Sequence, residues 1–249
     1  MQQCGENDFS QRSQSPAEKG GSWAGRRLTR VPPKPRAFLF DAYGTLFDVH
    51  SIVLRGGAGI PGDLQALSQL WRRKQLEYTW LRALMERYED FGLVTETALR
   101  FAVRELAIEA TDRQLEQLMQ SWLFPAAFED ARSALEALNG ALPLAILSNG
   151  SPAMLDSAVR HNGLESYFVE IISVDRVKTY KPSPRVYALG PEVLNLDPAE
   201  ILFVSSNPWD AAGAKAFGYA VCWCNRSGAP IEDLGFAPDF TVRRLDEIV

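Results

Sequence analysis

The chain has 249 residues, 46% of them hydrophobic, with 31 acidic against 26 basic side chains and a net charge of −5. That length holds one large domain, or a domain with a sizeable insertion, and buries a core without disulfide or metal staples. The acidic balance excludes the electrostatic footprint of a nucleic-acid binder; no apolar run reaches the roughly 18 residues of a membrane span, and the odd cysteine set Cys4, Cys222 and Cys224 fits a reducing, cytoplasmic setting.

Residues 1–35 are rich in Ser, Gln, Gly, Arg and Pro, with six basic and three acidic side chains, a net +3 that leaves −8 for the rest. Polar, aperiodic and without a hydrophobic signal segment, they are expected to form a disordered N-terminal extension. Order begins with the apolar run at residues 37–40, a buried strand delivering Asp41 to a Gly-Thr turn. Residues 50–125 carry helical patterns only. Residues 64–88 predict one long amphipathic helix, and Thr111 to Gln114 is a capping box followed by Leu115, Leu118, Met119 and Trp122 at i, i+3, i+4 and i+7.

From residue 126 the strand grammar returns. Residues 144–147 run into Ser148-Asn149-Gly150, residues 169–172 toward Ser173 and Asp175, and residues 201–204 into Ser205-Ser206-Asn207. Ser151 is a candidate N-cap with Pro152 at the first helical position, and Pro208 to Phe217 reads as a short Ala-rich helix. Residues 219–223 and 240–242 are weaker strand candidates, the first placing Cys222-x-Cys224 in a strand rather than a metal site. Strands apolar on consecutive positions are those of a parallel sheet covered on both faces. The expected fold is α/β: a doubly wound, Rossmann-like core (36–49 and 126–249) with an all-helical cap (50–125) inserted after the first strand.

Ligands of such sheets collect at the carboxyl ends of the strands, which here carry Asp41, Ser148 with Asn149, and Ser205 with Asn207 and Asp210. Singly, each has an ordinary reading as a turn or cap residue. Together they form a chemical set. The chain has two histidines, His50 and His161, and His161 belongs to a helix-end pattern, so a Ser-His or Cys-His relay has little support. A carboxylate such as Asp41, ionised at neutral pH, is a nucleophile that needs no base.

The segments Asp41-Ala42-Tyr43-Gly44-Thr45-Leu46-Phe47-Asp48-Val49, Ser148-Asn149-Gly150-Ser151-Pro152, Tyr180-Lys181-Pro182 and Ser205-Ser206-Asn207-Pro208-Trp209-Asp210 resemble the four signatures of the haloacid dehalogenase superfamily. More narrowly they resemble its L-2-haloacid dehalogenase branch, a likeness that runs from about residue 36 to the C-terminus and includes residues 70–80 of the insertion. The resemblance implies hydrolysis of short L-2-haloacids to D-2-hydroxy acids through an aspartyl ester, with inversion at C2 and with neither metal nor organic cofactor. It makes Asp41 the nucleophile, oriented by Thr45; Arg72 and Asn149 the cradle of the leaving halide; and Ser148, with the backbone N–H groups of Ala42 and Tyr43, the holder of the substrate carboxylate. Lys181 would pair with Asp41 and Asp210, Tyr187 would join the site, and Asp210 would act on water with Ser205 and Asn207. Tyr43, Leu76, Phe91 and Trp209 would wall the alkyl group. A homodimer is the family's usual assembly.

Ordinary readings stay open for several of these. Arg72 neighbours Arg73 and Lys74 and could be a solvated helix charge, and Tyr187 could simply pack. Two other functions also stay open: a magnesium-dependent phosphatase of the same fold and a non-catalytic binding module. Phosphatase relatives carry an acid two positions after the nucleophile and a Gly-Asp pair before the last acidic residue. Here Tyr43 and the Ser205-Ser206 pair stand there, which leaves few hard oxygen ligands for magnesium and no acid to protonate an ester leaving group.

Overall fold

The structure is a computed structural model, and it describes residues 34–249. The expected disordered extension, apart from its last two residues, lies outside the described residues. Along the chain, β1 (Ala37–Phe40) is followed by β2 (Phe47–Asp48), by helices α1 (His50–Gly56), α2 (Leu64–Leu84), α3 (Phe91–Glu105) and α4 (Asp112–Ser121), and by β3 (Ala126–Ala127). Then come α5 (Glu129–Leu138), β4 (Leu144–Ser148), α6 (Pro152–His161), β5 (Glu170–Ser173), α7 (Pro184–Tyr187), α8 (Leu189–Leu194), β6 (Ile201–Ser205), α9 (Pro208–Phe217), β7 (Ala220–Cys224) and β8 (Phe240–Val242).

Six of these strands form one parallel sheet in the order β5-β4-β1-β6-β7-β8. Every residue of β1, β4, β6 and β7 is buried, which is why each reads as an unbroken apolar run. The edge strand β5 opens with half-buried Glu170 and Ile171, and the exposed Val169 stays outside it. Both Cys222 and Cys224 lie buried in β7, as the strand reading expected.

The topology positions the site. From β1 the chain steps outward through β4 to β5, then crosses back to β6 on the other side of β1, opening a crevice where the order reverses. Phe40 pairs with both Ile146 and Val204, which puts Asp41 level with Ser205 and one residue short of Ser148. The Asp41 backbone N–H, donating to Val204 O at 2.9 Å, anchors the loop after β1 to β6.

Between β1 and β4 the four helices α1 to α4 leave and return through one doorway. There β2 and β3 pair antiparallel, Phe47 opposite Ala127 and Asp48 opposite Ala126. At two residues each they are too short to show a period, and sequence patterning misses them. Aromatic packing joins these helices to the core: Tyr43 lies 5.4 Å from Trp122 and 6.0 Å from Phe91, and Trp71 meets Trp122 edge-on at 5.6 Å.

Helix ends follow local chemistry, with two corrections. The Thr111–Gln114 capping box forms as expected, and Asp63 caps α2 by accepting the N–H groups of Gln65 and Ala66. Helix α2 stops at Leu84 rather than at residue 88, because Glu86 takes a left-handed conformation with φ +55°. Ser151 occupies the N-cap of α6 with Pro152 after it, but its side chain makes no cap hydrogen bond.

Helix α9 approaches α7 closely at Gly213, where an added Cβ would lie 2.6 Å from Tyr187 Oη and 2.8 Å from Pro182 Cβ. Gly213→Ala is expected to lower stability by about 1–3 kcal/mol through overpacking, measured as a shift of the chemical-denaturation midpoint at unchanged slope.

Candidate active site

Lys181 lies at the bottom of the crevice, 1% exposed, with its Nζ donating to Asp41 Oδ1 at 3.0 Å and to Asp210 Oδ2 at 2.9 Å. Burial alone would pull the ammonium down, but the two carboxylates outweigh it and hold Lys181 above its ordinary value. The ammonium also lies 4.9 Å over the Phe203 ring. Asp210, wholly buried on α9, is pushed up to about 6 by desolvation, with Lys181 opposing.

Each carboxylate has two further donors. Thr45 Oγ1 and Asn207 Nδ2 donate to Asp41 Oδ2 at 3.0 and 2.8 Å. Ser205 Oγ donates to Asp210 Oδ2 at 3.0 Å, and Tyr187 Oη donates to Asp210 Oδ1 at 2.7 Å. Tyr187 is fully buried on α7 behind Asp210, so it holds that carboxylate from the core side. The loop that carries Thr45 is wound around Ala42 O, which accepts from Thr45, Leu46 and Phe47, and it turns at Gly44 with φ +92°. Among the described residues the backbone N–H groups of Ala42 and Tyr43 have no acceptor, so both are free for an anion.

On the β4 side, Ser148 is buried and its Oγ accepts from Gly150 N, while Asn149 Oδ1 accepts the Lys181 backbone N–H at 3.0 Å and leaves its Nδ2 for another partner. Arg72 reaches across from α2: Nη2 donates to Tyr43 O at 3.2 Å and Nη1 to Gln75 Oε1 at 2.7 Å. It is a half-buried cation on the core, not a solvated helix charge. Burial pulls it down to about 10, against the attraction of Asp41, Tyr43 and Asp210, so it stays charged at neutral pH.

The predicted apolar walls divide. Leu76, Arg72 and Asn207 line a cavity of about 370 Å³ with Gly44 and His50. Tyr43 and Phe91 are in the buried aromatic cluster, Tyr43 with its hydroxyl unpaired among the described residues. Trp209 faces a separate cavity of about 510 Å³ with Leu84 and Pro182, and packs edge-on against Trp80 at 5.4 Å. His161, the last residue of α6, lies with its ring tilted against Phe124 at 5.4 Å.

A family model described as haloacid dehalogenase-like hydrolase matches residues 35–218. The chain belongs to the haloacid dehalogenase-like hydrolases. Within them it is 48% identical to an (S)-2-haloacid dehalogenase of Pseudomonas sp. (strain YL) over 215 residues, 86% of this chain and 93% of that one. It is 46% identical to haloacetate dehalogenase H-2 of Moraxella sp. (strain B), over 87% of this chain and 97% of that one. The solved L-2-haloacid dehalogenase from Xanthobacter autotrophicus with chloropropionic acid covalently bound superposes with a TM-score of 0.80 at 41% identity, covering 86% of this chain and 96% of that one.

Sequence reasoning missed two groups beside this hydrolase's crevice. Gln75, fully buried one turn after Arg72, accepts from Arg72 and donates to Thr95 Oγ1 at 2.7 Å; its signal in the sequence is the i, i+3 spacing from Arg72 within a helical pattern. Arg226 lines the Arg72 cavity and pairs with Asp130. It lies in no signature, and nothing in the sequence marks it.

Lys181→Met leaves two buried carboxylates without their cation and is expected to cost about 3–5 kcal/mol at pH 7. Without the ammonium Asp210 rises further, so the folded state binds its proton more tightly than the unfolded state does. Stability of the variant should therefore increase as pH falls from 7 toward 5, as checked by thermal unfolding across that range.

Proposed function

We propose that this chain hydrolyses short-chain L-2-haloalkanoic acids to D-2-hydroxyalkanoic acids through an ester on Asp41, with inversion at C2. The observation that carries this is Asp41 itself, a carboxylate that accepts from the Lys181 ammonium, with Tyr43, not an acid, two positions on. A halide leaves as an anion and needs no proton donor, whereas a phosphate ester does. The 41–48% identity to enzymes named (S)-2-haloacid dehalogenase supports the same reading, and nothing in the site favours the magnesium-dependent phosphatase.

Asp41 Oδ1, which among the described residues accepts only from Lys181, attacks C2 along the line of the carbon–halogen bond. Arg72 and the free Nδ2 of Asn149 receive the halide, and Ser148 with the N–H groups of Ala42 and Tyr43 holds the substrate carboxylate. Water then attacks the ester carbonyl as Asp210 takes its proton. The charge that develops on Oδ2 meets Thr45 Oγ1 and Asn207 Nδ2, already aimed there. The C–Oδ1 bond breaks as Asp210 returns its proton to Oδ1, which departs as the product hydroxyl with Lys181 stabilising it; Asp41 keeps the water oxygen and releases that oxygen's remaining proton to solvent. Ser205 and Tyr187 orient Asp210. We divide the chain into a core (36–49 and 126–249) and a cap (50–125), with the β2–β3 doorway as supporting observation. A homodimer is supported by Leu81, Leu84 and Met85, exposed at the end of α2, and a cytoplasmic setting by the unpaired Cys222 and Cys224. No helix among the described residues is long and apolar enough to cross a membrane.

The test is halide release from each enantiomer of 2-chloropropionate, with and without EDTA, followed by one turnover in heavy-oxygen water. EDTA-resistant chloride from the L form alone, with label entering Asp41, is expected; label entering the product directly refutes the ester. Because Asp210 must be ionised to accept a proton, kcat is also expected to fall as pH drops through about 6, approaching tenfold per pH unit below it. A pH–rate profile flat from 7 to 5 removes Asp210 from the base role.

A further inference from the structure

We propose that Arg226 and Asp130 form a brace that positions the nucleophile loop, Arg226 acting on Asp41 through Thr45. The proposal rests on the dehalogenase reading above. Arg226 follows β7, far in sequence from every signature, yet each of its five N–H groups has an acceptor. Nε and Nη2 donate to the two oxygens of Asp130 at 3.0 and 2.9 Å. Nη2 also donates to Thr45 O at 2.9 Å, and Nη1 donates to Ser206 Oγ at 2.8 Å and to Gly44 O at 3.4 Å. The guanidinium lies 4.1 Å over the Phe128 ring.

Those acceptors belong to the segments that must stay in register for Asp41 to react. Gly44 and Thr45 follow the nucleophile; Ser206 follows β6; Phe128 follows β3, where the chain returns from the helices, and its N–H donates to Leu46 O. Thr45 is held from both sides. Its carbonyl is bound directly by Arg226, while its Oγ1 accepts the backbone N–H of Ser206, a residue whose own hydroxyl Arg226 binds. With that lone pair taken, the Thr45 hydroxyl proton points at Asp41 Oδ2. Asp130 is buried, and its Oδ2 accepts the Leu245 N–H as well, which ties the fork to the C-terminal segment. An ammonium has no planar fork and at most three donors, so lysine cannot replace this set.

Arg226→Lys and Asp130→Asn are the test. Misplacing Thr45 weakens the donors on Oδ2, so ester hydrolysis should slow more than ester formation. The expected result is a kcat lower by roughly 10- to 100-fold at a KM within about threefold of the parent, with the Asp41 ester accumulating in the intact mass of acid-quenched enzyme. A folded Arg226→Lys with kcat within about threefold of the parent and no ester accumulation overturns the brace. If that variant does not fold, Asp130→Asn, nearly isosteric, decides on the same criteria. A parent that releases no chloride would sink the dehalogenase reading instead. Hydrogen exchange over residues 43–47 would then decide the brace alone: faster exchange by about tenfold in either variant supports it, and unchanged protection overturns it.

Discussion

A lysine ammonium sealed between two carboxylates governs how this site is built. Moving Lys181, Asp41 and Asp210 out of water costs several kcal/mol per ion, and pairing offsets that only where the remaining lone pairs are also satisfied. Here each carboxylate accepts from three donors: Lys181, Thr45 and Asn207 on Asp41, and Lys181, Ser205 and Tyr187 on Asp210. Lys181 serves both, and Asn207, at the N-cap of the helix that carries Asp210, reaches across to Asp41. The cluster forms only where β1 and β6 end side by side and the loop after β5 folds back beneath them, so the sheet order at the reversal is a condition of the charge arrangement.

The cluster carries a net negative charge, and its counterweight comes from another part of the chain. Arg72 extends from α2 onto the carbonyl of Tyr43, with Gln75 taking one nitrogen and Thr95 in turn taking Gln75. A guanidinium half-withdrawn from water on this side of Asp41 is poised for an anion, because the field it offers is less screened than that of a surface cation. The aromatic contacts of Tyr43, Phe91 and Trp122 keep α2 and α3 seated over the loop. Position of the arginine thus depends on packing far from the charges it serves.

Much of this was legible before any coordinates. Strands buried on both faces advertise themselves as unbroken apolar runs, and polar residues at their ends fall together by topology alone. Thr45, Lys181, Asn207 and Asp210 lie in the signatures; Thr45 and Lys181 make the contacts expected of them, whereas Asn207, expected beside Asp210, donates to Asp41 instead. What escaped was short, solitary or long-range. Strands β2 and β3 are two residues each, below any period. The end of α2 turns on one left-handed residue, Glu86, with no glycine to announce it. Trp209 carries a signature position yet packs on Trp80, since the side chain follows the face of α9 it sits on. Arg226 binds residues 96 and 182 positions away, and separation of that order leaves no local trace.

The place of Tyr43 makes the chemistry coherent. Its ring is buried to 3% exposure against Phe47, Phe91 and Trp122, and desolvation raises its phenol above the ordinary value. A phenol so placed is a poor proton donor to a leaving group, so the position two residues after Asp41 offers shape and a backbone N–H and no acid. Lys181 meanwhile neutralises part of the charge on Asp41 and Asp210 from within the chain, with no oxygen ligand to spare at Ser206, whose hydroxyl is bound to Arg226. On the proposed function, a site with a fixed cation on Asp41, an arginine beside it and two donors aimed at Oδ2 is organised for displacing an anion from carbon. The same features leave it ill-equipped to protonate an alkoxide released from phosphorus.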